Sequence, residues 1–416
     1  MRIAIFDYFV ERTNPIGGCH RKLVEGVFDE HDVTVFAVRF DNPASDRIKW
    51  VRVPVPTRPL ALLFIAYHVI APLCFAIHQF RHGKRFDLVQ EVESNLSFGD
   101  LAYSHFCHRA FLRTANSPKP YAGLRSLFRW LDHGLHALVE PFIYSRTHTV
   151  VVPSQGLARE LASEYPSIRE RTIVIPNPVD VAWMCPPSVA DRRAARERHG
   201  WSDEDVVFVF VALGHFERKG LPLLFEALGK IDDGRVQLLV VGGQPDLVDH
   251  YCKRADALGL GDRVRFVGMQ SDVRPFLHTS DVFVLPSAYE TFSLVALEAA
   301  AAGVPLLVTA LHGVEEYVRD GRNGFVVERN AEAIAAGMAK FVALSPSERA
   351  ALGQTARRDA SRYRLDVFVD AWRAVYKGLA QRDVVAILES VDDWDRDPAT
   401  TDQAAARSRN HRGWTT

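Results

Sequence analysis

The hydrophobic positions of this chain gather into short, mostly unbroken runs, each followed by a polar loop carrying glycine or proline and then by a segment of helical length. Such runs fit strands covered on both faces, as in a parallel sheet. Ile3 to Phe6, Val33 to Val38, Trp50 to Val53, Phe86 to Gln90, Leu101 to Tyr103 and Thr149 to Val152 form a first series. Val206 to Leu213, Val236 to Gly243, Val264 to Met269, Val282 to Leu285 and Val304 to Thr309 form a second. Strand and helix alternating twice over predict an α/β chain of two Rossmann-like domains. Between the series, Pro176 and Pro178 stiffen a crossing, Asp180 is a candidate anchor, and Pro186-Pro187 precedes an arginine-rich helix. The expected division is 1–178, 179–380 and a polar, disordered tail at 381–416.

The stretch from Asp281 to Gly303 concentrates candidate chemistry. Val282 to Leu285 reads as a buried strand ended by Pro286-Ser287. A helix should begin near Ser293, whose hydroxyl is placed to accept from first-turn amides, and run through strong helix formers to Gly303 and Pro305. Unpaired amides at such a helix start suit a phosphate. Glu290 lies on the loop and Glu298 in the second turn, leaning back toward the helix start, so both can reach one ligand. By spacing alone, the same pair is equally a solvated helix face.

Three other stretches carry polar groups at strand ends. Gly17 and Gly18 follow the first strand, before a helix expected from about Cys19 to His31. They serve either a glycine turn or a close backbone approach to a phosphate. His105 follows the strand Leu101 to Tyr103. His108 lies three residues on, and with no further ligand cluster in view a metal site is not expected. Gly214 to Gly220 brackets Arg218 and Lys219, which could clamp a diphosphate or lie in solvent. The loop lacks the Gly-x4-Gly-Lys-Ser/Thr order of a triphosphate-binding loop.

Tyr289-Glu290-Thr-Phe-Ser-Leu, then Glu298-Ala-Ala-Ala-Ala-Gly-Val-Pro, with the closing segment Gly313 to Val327, resembles the signature of family-4 retaining glycosyltransferases. The resemblance implies the GT-B fold, two Rossmann-like domains facing across a cleft, and transfer from a UDP- or GDP-linked sugar with retention. It implies that Gly17 and Gly18 lie over the donor diphosphate and that His105 contacts the donor sugar. Arg218, Lys219 and the amides of Phe292, Ser293, Leu294 and Val295 would neutralise the diphosphate. Glu290 would hold the sugar near its reacting face, Glu298 the ribose hydroxyls, and Gly268 would lie beside the base. No protein nucleophile, metal or other cofactor is implied. The family commonly has an arginine directly after the first glycine of a longer loop, where this chain has His215. Two alternatives stay open: a sugar-nucleotide epimerase on the same fold, and a non-catalytic sugar-nucleotide binder.

Composition narrows the setting. Lys+Arg 50 against Asp+Glu 51 leaves a net charge of -1, which argues against nucleic acid as a partner. Five scattered cysteines argue against a disulfide frame and for a cytoplasmic setting, and no signal peptide precedes the first strand. Leu60 to Phe80 is apolar except for His68, Pro72, His78 and Gln79, and is flanked by Arg58, Arg81, His82, Lys84 and Arg85. Crossing a bilayer would split one sheet between its two sides. The segment therefore fits either a buried helix pair or a surface at residues 60–85 lying in the headgroup layer. The resemblance favours the latter, hence peripheral attachment to the cytoplasmic face of the membrane and a glycan, lipid-linked or small-molecule acceptor. Asp393-Trp-Asp and Asp395-Arg-Asp follow no strand and read as a chance charge run rather than a metal motif.

Overall fold

The computed structural model of the chain describes residues 1–381 apart from 84, 120 and 122. The expectations for the tail lie outside the described residues. The first sheet contains β1 (Arg2–Phe6), β2 (Asp32–Ala37), β3 (Lys49–Arg52), β4 (Leu88–Val92), β5 (Leu101–Tyr103), β6 (Thr149–Val152) and β7 (Thr172–Val174), in the order β3-β2-β1-β4-β5-β6-β7. The second contains β8 (Val206–Val211), β9 (Val236–Val241), β10 (Val264–Phe266), β11 (Val282–Leu285), β12 (Leu306–Thr309) and β13 (Gly324–Val327), in the order β10-β9-β8-β11-β12-β13. Every pairing in both sheets is parallel, with Ile3 opposite Val33 and Leu88, and Phe208 opposite Leu238 and Val282. Each central strand is buried along its whole length, which is why the runs carry no polar alternation.

Five helices matter for the first sheet's side of the cleft: α1 (Pro15–Val27), α2 (Leu60–His82), α3 (His108–Arg113), α4 (Leu124–Arg146) and α5 (Gln155–Glu164). Helix α1 starts four residues earlier than expected. Asn14 is its cap, accepting from Gly17 N–H at 2.9 Å, and Pro15 supplies the first-turn φ. A Cβ at Gly17 would sit 1.7 Å from the Phe9 carbonyl oxygen, so glycine is required by packing of the helix on the chain before it.

Helix α2 overturns the expectation of a wholly buried helix pair. It is one helix running through Pro72, with Leu63, Phe64, Tyr67 and Ala71 buried and Leu62, Ile65, Val69, Leu73, Ile77 and Phe80 exposed. Length and composition would let it cross a membrane. The Tyr67 hydroxyl nevertheless ties it to the first sheet, donating to the Phe36 carbonyl at 2.7 Å. The last helix, Leu365–Gln381, crosses back to the first sheet as expected. It packs on α1, buries Trp372, and donates from the Tyr376 hydroxyl to Gln90 Oε1 at 2.7 Å.

Candidate active site

The strands' C-terminal ends of both sheets meet at one cleft. On the second sheet's side, β8 runs into a short helix, Phe216–Lys219, between His215 and Gly220, both in the left-handed region at φ 55 and 88. Gly220 is pressed against the loop after β11, where a Cβ would lie 2.2 Å from the Pro286 carbonyl oxygen. The same approach lets Ala288 N–H donate to the Arg218 carbonyl at 2.9 Å. Lys219 and Glu290 are thereby brought into an ion pair, their side chains only 16% and 10% exposed. Both charges of a pair this far from solvent have lost hydration, so removing either partner would strand the other as a buried charge. Arg218 Nε is buried with no partner among the described residues.

The helix after β11 spans Leu294–Ala301 with Ser293 as its cap, but the Ser293 hydroxyl makes no capping bond. That corrects the expected role: Ser293 backbone lies at φ -88 and ψ 95, its Oγ is buried without a partner, and its carbonyl accepts from the Tyr317 hydroxyl at 3.0 Å. First-turn amides of this helix therefore take no side-chain cap. Glu298 sits one turn in. Burial pushes its carboxyl up to about 7, against the pull of Lys22 from α1.

On the first sheet's side, His105 follows β5 as expected. Asn177 Oδ1 accepts from the Tyr103 hydroxyl at 2.8 Å and lies 3.3 Å from His105 Nε2, which assigns the proton to Nε2. Nδ1 is left as a buried acceptor without a partner, available to a ligand hydroxyl. Burial lowers the His105 pKa to about 4, so the ring is neutral near pH 7.

These groups surround a cavity of about 240 Å³, lined by Pro15, Ile16, His105, Phe106 and Asn177 from one domain and Arg218, Tyr289, Glu290, Thr291, Phe292 and Leu294 from the other. Lys219 reaches it through Glu290, while Ser293, Val295 and Glu298 lie behind on the helix. Gly17 and Gly18 are in the first turn of α1, their amides bonded to Asn14, and it is Pro15 and Ile16 that touch the cavity. Gly268 lies beyond β10 at φ 65, and its carbonyl accepts from Gly242 N–H at 2.7 Å.

Sequence reasoning missed Asn177 and Tyr289 as site groups. Asn177 stands inside the Pro-Asn-Pro crossing, and Tyr289 directly precedes Glu290. Tyr289 also bridges the domains, its hydroxyl donating to Glu160 Oε1 at 2.7 Å, while Ser154 Oγ donates to the Thr291 carbonyl at 2.7 Å. The expectation that no further ligand cluster accompanies His108 is corrected as well. The fold brings Glu93 and His136 beside it.

The model of the glycosyl transferases group 1 family matches residues 191–359, and that of glycosyltransferase family 4 matches residues 22–183. The chain belongs to the family-4 glycosyltransferases. It is 32% identical over 272 residues to the D-inositol 3-phosphate glycosyltransferase of Geodermatophilus obscurus, a stretch covering 61% of this chain and 57% of that protein. The family-4 fold is shared with sucrose-phosphate synthase from Thermosynechococcus elongatus, at a TM-score of 0.74 and 21% identity over 92% of this chain and 100% of that one. It is shared also with Anabaena HepE, solved in complex with UDP and glucose, at a TM-score of 0.66 and 19% identity over 91% of this chain and 100% of that one. This is the GT-B arrangement of two Rossmann-like domains.

Proposed function

We propose that this family-4 chain is a retaining glycosyltransferase that moves a sugar from a nucleoside-diphosphate donor to an acceptor hydroxyl. The observation that carries the reading is the convergence of Arg218, Glu290 and His105 on one cleft cavity, with Lys219 ion-paired to Glu290 behind it. Arg218, Lys219 and the uncapped amides of the helix at Leu294 bind the donor diphosphate and stabilise the charge that grows on it as the glycosidic bond breaks. Positive charge of this kind makes a metal at the diphosphate unnecessary. Donor binding draws Lys219 toward the diphosphate and leaves Glu290 to accept from sugar hydroxyls. Neutral His105 accepts from another hydroxyl through Nδ1, and Glu298 accepts from the ribose. With Glu290 engaged by sugar hydroxyls and not by the anomeric carbon, the acceptor hydroxyl attacks that carbon on the face the diphosphate leaves, its proton passing to the departing diphosphate oxygen, which gives retention. UDP is favoured over GDP by the likeness to HepE, whose solved complexes hold UDP.

The acceptor in this reading is a membrane-linked glycan or glycolipid of envelope polysaccharide assembly. Support comes from α2, which carries no acidic residue, ends in Arg81 and His82 and is followed by Arg85, and from the adjacent α4, where Leu131, Leu138 and Phe142 are also exposed. An apolar face edged by cations lies well in an anionic headgroup layer, at the cytoplasmic surface where sugar nucleotides are present.

The test is release of nucleoside diphosphate from UDP- and GDP-sugars, measured with and without vesicles bearing lipid-linked saccharides, with the product anomer read by NMR. Vesicle-dependent release with a retained anomer is expected. Epimerised or hydrolysed donor with no dependence on acceptor would make the chain an epimerase or hydrolase instead. Binding without release in any arm would make it a binder.

A further inference from the structure

We propose that Glu93, His108 and His136 form a binding site for a divalent transition-metal ion on the first sheet's side of the cleft, separate from the donor cavity. The three residues come from three elements. Glu93 stands just past β4, His108 opens α3, and His136 lies in the middle of α4. One donor atom from each lies within 4.8 Å of the others, and His108 Nε2 is 3.5 Å from Glu93 Oε2.

Two further observations separate this group from an accidental cluster. The first is the state of the imidazoles. His136 Nδ1 lies 2.6 Å from the Ser94 hydroxyl, and His108 Nδ1 lies 3.0 Å from His133 Nδ1. In each ring the second nitrogen is thus engaged and Nε2 is the one left for an ion, the usual arrangement in which an outer partner fixes the tautomer of a metal-bound histidine. The second is the backbone of Glu93. It is one of two residues other than glycine with positive φ among the described residues, at 57°, and strain of that kind persists where the surroundings demand it. It turns the carboxylate back toward His108, whose own amide is held by Glu140 Oε1 at 2.8 Å.

The donor set selects the ion. Two imidazoles and one carboxylate suit zinc, cobalt, iron or manganese, whereas calcium and magnesium favour all-oxygen sites. Tetrahedral bonds of about 2.1 Å would require the donor atoms to close to about 3.4 Å, a contraction that side-chain rotation supplies. The rings of His108 and His136 now lie face to face, with centroids 4.1 Å apart, and an ion would splay them. A bound ion would pin the end of β4 to α3 and α4. The inference does not depend on the donor reading, because it uses none of Arg218, Lys219, Glu290 or Glu298.

The experiment uses the full chain without an affinity tag, stripped with chelator and dialysed. Cobalt(II) is titrated by visible absorption and zinc(II) by calorimetry. Saturation at one equivalent with a d–d band is expected in the wild type and in the surface control His148→Ala, with the band lost in His108→Ala, His136→Ala and Glu93→Gln. Ser94→Ala should bind about 10- to 100-fold more weakly, since it removes only the outer partner of His136. Absence of stoichiometric binding in the wild type, or binding unchanged in Glu93→Gln and Ser94→Ala, would overturn the proposal. Those two variants decide the matter even if the histidine variants fail to fold.

Discussion

Glu298→Gln should make the protein more stable and a poorer binder of its donor, and the first effect should depend on pH in a defined direction. Burial raises the carboxyl from its ordinary 4.5 to about 7. At about 1.4 kcal/mol per pH unit, keeping it ionised in the folded state costs about 3 kcal/mol. Because the folded value lies above the unfolded one, the contribution to stability is complete below pH 4.5 and is lost as pH rises through about 7. Glutamine keeps the shape of the protonated form and cannot ionise. The variant should therefore exceed the wild type by about 3 kcal/mol at pH 8, several degrees in melting temperature for a domain of this size, and by less than about 1 kcal/mol at pH 5. Losing a charged acceptor for the ribose hydroxyls should meanwhile weaken donor binding about 10- to 100-fold. Thermal scans at both pH values, with and without nucleoside diphosphate, read both effects. A variant that is no more stable than the wild type at pH 8, or that gains equally at both pH values, would refute the electrostatic account of Glu298.

Lys219→Met should weaken nucleoside-diphosphate binding about 10- to 100-fold and destabilise the ligand-free protein, because it strands the Glu290 carboxylate; Lys219→Met/Glu290→Gln should restore the stability but not the binding, as calorimetry and melting curves would reveal. Gly17→Ala should lower the melting temperature markedly, since its Cβ would overlap the Phe9 carbonyl, whereas Gly18→Ala, with nothing nearer than 3.5 Å, should have a much smaller effect. Ile65→Glu/Leu73→Glu should abolish sedimentation with anionic vesicles while leaving the melting temperature within about 1 °C, because both side chains are exposed.

Both sheets were legible because their strands are buried on two faces and so appear as runs with no polar interruption; β8 and β11 are the clearest cases. Element boundaries were harder to read. β4 begins at Leu88 rather than Phe86, whose ring packs on Phe75 instead of continuing the strand. Helix α1 was misplaced because glycines suggested a loop, whereas Asn14 and Pro15 were the stronger starting signals. Glu290, His105 and Arg218 could be assigned to the site because each follows a strand that ends at the cleft. Contacts that depend on distant segments left no such mark. Nothing local joins Tyr289 to Glu160, or Glu93 to His108 and His136, and half-exposure of α2 follows from which of its faces the Tyr67 hydroxyl ties to the sheet.

Calorimetric titration of the purified chain with UDP, GDP and their common sugar conjugates, repeated on Lys219→Met and Glu298→Gln, tests the donor cleft most directly. The account predicts that one nucleotide class binds the wild type and that both substitutions weaken it about 10- to 100-fold. No binding of either class, or binding that both substitutions leave intact, would contradict the assignment of this cleft to a nucleoside-diphosphate sugar.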